Sequence, residues 1–481
     1  MQVCFFLRNF AAKMRSLFVI FAVFFLQFID KMGSERICLS ANALEMREKR
    51  GILIDDFDFE VSPVYLDSIR RMGGKVMHTS RWMNGATIEA NKDIINAINH
   101  CSFVDTCYLT RTDSISFGTH SLSLRKRTSE STPQALSSMA SSTNQLALYN
   151  LLPLHQLGHK GKGIRIGITD GGFYNADKWE VLPKQQCLGY ADLTDDEDDF
   201  FGSTGDHGAL CLSTILGSTK DYMGAATEAE YFLFRTEEHA TESPKEIDNW
   251  IAAIEMADSL GLHIVSTSLG YTTFDNQTMN FAYADMNGRT SRGAQAAIIA
   301  ARKGILLVVA VGNDGNKNWH YLSTPADADS IISVGAVNVA GEVAAFSSYG
   351  PSADGRVKPE VCAVGSGTAL INPANNETIN GNGTSFACPL IAGMAACLWS
   401  AMPQASNIEI RERIIRSANC YAQPHEQYGY GIPNAWLAYT SATSDLPNNL
   451  YPSPYTKLIQ NGKLYIQHNN QLYNILGSKI Q

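Results

Sequence analysis

Residues 163–172 read GIRIGITDGG, an apolar run broken by one charge, Arg165, and stopped by Asp170 in front of Gly171 and Gly172. A short β-rich run closed by Asp-Gly-Gly is a strand ending in a sharp turn, which leaves the Asp170 carboxylate at the strand's carboxyl end. The same texture returns in HIVSTSL (263–269), ILLVVAV (305–311) and IISVGAV (331–337), with helical stretches from Glu246 to Leu260 and from Ala294 to Lys303 between them. Strands apolar on both sides, alternating with helices, make a parallel sheet covered on both faces. The spacing therefore predicts an α/β fold with a helix-flanked parallel sheet over 147–443, and such sheets carry function at the carboxyl ends of their strands.

At 481 residues the chain has room for about three units of ~150 residues each. Lys plus Arg number 38 against 47 Asp plus Glu, a net charge of −9, with no domain-sized basic stretch, so a nucleic acid is not an expected partner. At 45% apolar and 18% charged residues the composition is globular. Upstream, the apolar run Leu17 to Ile29 behind Lys13 and Arg15 is shorter than the ~20 residues of a membrane span. It reads as an export signal over 1–30, a lone anchor or a buried helix being the alternatives, and no span is expected in the mature protein. Residues 31–127 form a small α+β pattern ending in Arg125, Lys126 and Arg127, and a Ser-rich linker over 128–146 invites proteolysis. A Pro- and Asn-rich joint leads to a tail over 444–481. Ten cysteines are scattered without metal-ligand spacing; Cys101 and Cys107 could pair, and most of the others read as small core residues.

Three residues of complementary chemistry fall where the sheet puts its sites. Asp170 is at a strand end, His207 in GDHGALCLSTILG is at a helix start, and Ser385 in NGNGTSFACPLIAGMAACLW follows a Gly-rich loop into a long helix that tolerates Pro389 in its opening turn. Taken singly they are a turn residue, a capped histidine and an N-cap. Together they supply a serine hydroxyl, a base to take its proton and a carboxylate to orient that base. The start of the Ser385 helix also points its amides at the space where an oxyanion would form. Asn313 in VVAVGNDGN, delivered by the preceding strand to the same sheet edge, adds a side-chain donor.

On these four motifs, in this order, the sequence resembles the subtilisin-like serine proteases, the subtilase family, over roughly Ala147 to Thr440. The resemblance implies a subtilisin-like three-layer fold preceded by an inhibitory α+β propeptide. It implies a serine endopeptidase with Asp170, His207 and Ser385 as catalytic residues and Asn313 as the oxyanion donor. Ser268, Leu269 and Gly270 would pair with the substrate backbone, and the primary pocket would lie between the strands around Ser268 to Tyr271 and Val309 to Gly312. Where the family has Ser or Thr after the catalytic aspartate, this chain has Gly171, so backbone amides must orient the carboxylate. A catalytically silent binding module on the same fold is the alternative, and a serine-reactive probe separates the two. The implied partners are protein or peptide substrates and the chain's own propeptide, with secretion or cell-surface display. The tail is similar to the carboxyl-terminal segment of secreted proteases of Bacteroidetes-type bacteria. No cofactor or catalytic metal is expected; the acidic run Asp192 to Phe200 reads as a solvated loop, with a structural calcium ion as its other use.

Overall fold

The computed structural model describes residues 21–112, 141–195, 198–202 and 205–441, together with the backbone of four strands between 455 and 480. Seven parallel strands form the central sheet: β5 (Arg165–Asp170), β6 (Cys187–Asp192), β7 (Glu230–Arg235), β8 (Ile264–Thr267), β9 (Leu306–Ala310), β10 (Ile332–Val337) and β11 (Val361–Val364). Their order is β11-β10-β9-β8-β5-β7-β6, and each adjacent pair is parallel. The pleat divides each strand between two cores. Leu306, Val308 and Ala310 of β9 face one core, shared with helix Thr384–Ala401, whereas Leu307 and Val309 face the other, shared with helices Lys245–Leu260 and Arg292–Arg302. Burial on both faces is why these strands read as unbroken apolar runs. Helix Thr384–Ala401 is long and apolar enough to cross a membrane, but it is buried in the first core.

The amino-terminal unit departs from the sequence reading at its start. The run assigned to an export signal is, from Phe21, strand β1 (Phe21–Phe28), an inner strand of an antiparallel sheet in the order β2-β3-β1-β4 with β2 (Lys75–Ser80), β3 (Gly85–Asn91) and β4 (Val104–Thr112). Leu26 and Phe28 pack with Val61, Tyr65, Ile69, Ile95 and Ile98 in the unit's own core, while Phe25 joins the second core of the large domain. A strand buried on both faces loses the polar alternation that would mark it, and its composition matches a signal's apolar region. The small unit thus begins inside the 1–30 span rather than at residue 31.

Two further expectations shift. Cys101 and Cys107 are separate thiols. The large domain starts before residue 147, because Ser142–Leu148 is already a helix in which Leu146 is fully buried and Gln145 both donates to and accepts from the Ala369 backbone. The Arg125–Arg127 triplet and most of the Ser-rich linker lie outside the described residues. The tail, from Thr440, is a separate unit. It contains an antiparallel meander of β12 (Tyr455–Gln460), β13 (Lys463–His468), β14 (Gln471–Tyr473) and β15 (Lys479–Ile480).

The small unit docks on helix Lys245–Leu260 through a seam of buried charges. Glu255 accepts hydrogen bonds from Ser80 Oγ (2.5 Å) and from the backbone N–H groups of Arg81 (2.9 Å) and Trp82 (3.1 Å), so one carboxylate receives the turn that follows β2. Asp258 pairs with Arg81 (2.9 Å) and Arg47 (2.8 Å), and in the opposite sense Lys303 reaches Asp58 at 2.8 Å. Arg292, paired with Asp248, lies over the rings of Phe25 (4.4 Å) and Tyr108 (5.4 Å). Charges of both signs on each side make the fit specific, and each is buried with its partner.

Candidate active site

Strand β5 delivers Asp170 to the carboxyl edge of the sheet, and His207 opens the helix His207–Leu216 facing it. His207 Nδ1 lies 2.9 Å from Asp170 Oδ1 and 3.0 Å from Oδ2. Asp170 is 3% exposed, and its Oδ1 also accepts the Gly171 N–H at 2.8 Å. The backbone amide therefore does the orienting that a hydroxyl at position 171 would have done. Glycines make the approach feasible: a Cβ on Gly208 would stand 2.5 Å from Gly172 O and 2.8 Å from Asp170 Cβ, and one on Gly172 would stand 2.8 Å from Gly205 Cα. Gly172 and Gly208 are thus required by close backbone approach, Gly172 against Gly205 and Gly208 against the Gly172 carbonyl and the stem of Asp170.

Burial works against charging the His207 imidazole, but the Asp170 carboxylate outweighs it and holds the pKa well above the ordinary histidine value. Nδ1 against a carboxylate fixes the ring proton on that nitrogen, which in the neutral imidazole leaves Nε2 as the acceptor.

Ser385 sits in the first turn of Thr384–Ala401, a helix entered from Gly383 at φ 157°, a residue with no side chain to cap the opening amides. Its carbonyl oxygen accepts from Ser268 Oγ at 2.8 Å and lies 3.3 Å from Cys211 Sγ. Cys211 stands one turn after His207, 3.9 Å from Nδ1, and the ring of Phe386 packs 5.6 Å from the imidazole. The two helix starts therefore abut at the sheet edge. Asn313 Oδ1 accepts the Thr384 N–H (2.9 Å) and the Thr384 hydroxyl (3.1 Å). Because an N–H can only donate, this pins the amide with Nδ2 as its outward donor. Gly312 at φ +108° closes the same corner, its N–H 3.2 Å from Thr384 Oγ1.

The structure thus brings Asp170, His207, Asn313 and Ser385 to one edge and gives Ser268 a contact not foreseen, on the carbonyl of Ser385 itself. Ser268, Leu269 and Gly270 follow β8, and a Cβ on Gly270 would stand 2.1 Å from Ser323 Oγ. Ser323 therefore packs directly against the Gly270 backbone. Cys211 and Phe386 were missed in the sequence, although their positions, four after the histidine and one after the serine, were the available signals.

Among the described residues, two groups offer ligand atoms within 4.8 Å of one another: Asp170, His207 and Cys211, and Glu237, Glu242 and Glu246. In the second, Tyr271 and Thr236 hydroxyls donate to Glu237, and the Glu238 and Ser243 amides donate to Glu246. Burial beside Glu237 and Glu242 pushes Glu246 up to about 10, since crowded carboxylates disfavour one another's charge. The acidic run is exposed at Asp192, Asp195 and Asp199, and it also serves buried cations: Asp192 and Asp198 pair with Arg235 at 2.7 and 2.8 Å, and Asp195 with Lys245 at 3.1 Å.

Comparisons with known proteins agree with this architecture. A family model described as the subtilase family matches residues 161–431, and one described as the peptidase S8 propeptide domain of Bacteroidota matches residues 24–132. The second match begins within β1, as the fold requires. The chain is 28% identical over 297 residues to a thermostable alkaline protease of Halalkalibacterium halodurans, covering 61% of this chain and 72% of the relative. It is 27% identical over 292 residues to a subtilisin of Bacillus pumilus (59% and 94%) and 26% identical over 292 residues to subtilisin E of Bacillus subtilis (59% and 68%). A helix-flanked parallel sheet, a docked propeptide unit and a peptidase match over more than half of the sequence leave one conclusion: the chain belongs to the subtilase family of serine-type endopeptidases.

Proposed function

We propose that the chain is the zymogen of an exported serine endopeptidase that cleaves protein or peptide substrates through an acyl-enzyme on Ser385. Ser385 Oγ attacks the substrate carbonyl while His207 Nε2 takes its proton, and His207 then returns that proton to the leaving amine. Asp170 keeps the other proton on Nδ1 and stabilises the imidazolium. Asn313 Nδ2 and the uncapped amide of Ser385 hold the oxyanion; one such side-chain donor is worth ~3 kcal/mol, a magnitude for which this family is the general example. Water completes the cycle by the same steps in reverse order. Ser268, Leu269 and Gly270 pair with the substrate backbone, and the docked unit is an intramolecular inhibitor until it is removed. Export, to the medium or the cell surface, is the reading that the propeptide favours.

The observation that carries this proposal is the pair of contacts between His207 Nδ1 and the two Asp170 oxygens at 2.9 and 3.0 Å. Wild type and Ser385→Ala should be treated with a fluorophosphonate probe and their amino termini sequenced. Wild type is expected to label and to acquire a new terminus between Arg125 and Ser141, and the variant to do neither. Folded, processed wild type that does not label would defeat the proposal, and identical trimming of the variant would defeat self-processing.

A further inference from the structure

The small unit also holds the large domain at a second place, far from the cleft. Between β1 and helix Pro63–Arg71 the chain makes an excursion over residues 38–58, closed by the Ile37–Phe59 bridge and by the Cys38 N–H, which donates to the Asp58 carbonyl at 2.8 Å. It carries one helix, Ala41–Arg50, with a Ser40 cap and a left-handed Gly51 stop. Among the described residues none of this excursion enters the small unit's own core, and Phe57 packs instead on the second core of the large domain. A ten-residue helix with two buried side chains, Ala43 and Arg47, does not hold in water by itself, so the surface beneath keeps it folded. That surface lies at the amino edge of the sheet, where helices Lys245–Leu260 and Arg292–Arg302 end and lead into β8 and β9. Arg47 pairs with Asp258 at 2.8 Å and with Asp58 at 3.0 Å, and Arg50 donates to Gly304 O at 2.9 Å with its guanidinium 4.6 Å from the centre of the Trp399 ring. The glycines that close those two helices leave room for it: a Cβ on Gly261 would stand 3.0 Å from Ala43 N, and one on Gly304 2.8 Å from Ile52 Cδ1. Trp399 is fourteen residues, about 21 Å of helix, beyond Ser385.

We propose that residues 38–58 are a second anchor of the propeptide, one that keeps it on the enzyme after the linker is cut. Glu255 on the flank of helix Lys245–Leu260 holds the turn after β2, and the end of the same helix holds the excursion. Two contacts on one body raise the local concentration of each for the other, so dissociation requires both to open together. Hydrolysis of one peptide bond in the linker touches neither contact. Cutting and the onset of activity are therefore separate events, and the anchor sets the interval between them. Alternating charge makes the hold specific: Asp258, Arg47, Asp58 and Lys303 follow one another across the seam, Lys303 reaching Asp58 at 2.8 Å, and removing one strands its neighbours in a buried place. Docking of the excursion needs no catalysis; the timing of activation rests on the proposed peptidase.

The test compares the full-length wild type with the double variant Arg47→Ala, Arg50→Ala. Both arginines leave with the propeptide, so the released enzyme is the same polypeptide in the two, and a difference in timing is a difference in retention. The interval from linker cutting to peptide hydrolysis, followed after dilution, should shorten at least ~10-fold in the variant. Gly261→Asn approaches from the other side: Asn accepts the left-handed φ of +73°, and its side chain meets the Ala43 backbone, so hydrolysis should again begin early and then reach the wild-type rate. Hydrolysis that begins with the cut in wild type, or an interval equal to wild type in either variant, overturns the anchor. In the full-length chain with Ser385→Ala, amide hydrogen exchange should find residues 41–50 of the double variant unprotected while β2 and β3 stay protected. Protection kept at 41–50, or lost from all three elements, overturns the anchor as well. A wild type that is never cut would instead sink the peptidase reading and leave the exchange result standing.

Discussion

Replacing Gly208 by alanine and, separately, Gly171 by alanine should have opposite outcomes although both glycines border the Asp170–His207 pair. The Gly208 Cβ would stand 2.5 Å from Gly172 O, 2.8 Å from Asp170 Cβ and 2.8 Å from Phe173 Cε1. Non-bonded carbons rest at about 3.5–4.0 Å, and two of these three neighbours belong to backbone or to the stem of Asp170. The histidine-bearing helix must therefore back away by roughly 0.5–1 Å, at a cost of about 1–3 kcal/mol in stability. A displacement of about 1 Å at the reacting groups lowers the rate by about 10²-fold. At Gly171 the added Cβ meets only the Glu237 stem, Cβ at 3.5 Å and Cγ at 3.8 Å, and the backbone is outside the left-handed region. That substitution should be neutral or stabilise by about 0.4–1 kcal/mol through the unfolded chain. Stability is measured by thermal unfolding of the two variants in the Ser385→Ala background, and rate as kcat/KM per titrated active site. A folded Gly208→Ala enzyme within about threefold of wild type, or equal losses in both variants, would refute the packing account.

Arg81→Ala leaves Glu255 and Asp258 facing a buried vacancy, and it should weaken docking of the amino-terminal unit by about 3–5 kcal/mol; a urea midpoint equal to that of the parent Ser385→Ala zymogen would contradict the seam. His78 of β2 is half-buried with Nε2 2.9 Å from Leu193 O, and desolvation, then Lys245, lower its pKa against that hydrogen bond, Asp248 and Asp195, which raise it. The unfolded chain therefore binds a proton that the folded zymogen resists, so stability is full above the ordinary histidine pKa of about 6.5 and falls as pH drops below it. His78→Gln should flatten that fall in a pH series of unfolding midpoints, and an unchanged slope would rule His78 out as its source. Because Asp192, Asp195 and Asp198 already hold Arg235 and Lys245, a chelator should leave the unfolding midpoint where it is; a drop would mean that calcium binds there after all.

The local sequence was sufficient for the sheet and for the places where Asp170, His207, Asn313 and Ser385 leave its strands and enter its helices. A strand covered on both faces must be apolar at every position, and a strand-ending Asp-Gly-Gly or a Gly-Thr-Ser before a helix has one economical conformation. The same rule does not discriminate over Phe21 to Phe28, since two-sided burial in β1 and an export signal ask for the same residues. Other features depended on groups far apart in the chain: the Asn313 amide fixed by Thr384, the Ser268 hydroxyl on the Ser385 carbonyl, the Cys211 sulfur against His207, and a carboxylate at Glu255 waiting for the turn after Ser80. Their separations follow from strand order and helix packing. Neither is written in any short window, because both are set by which surfaces are buried together once the whole chain has folded.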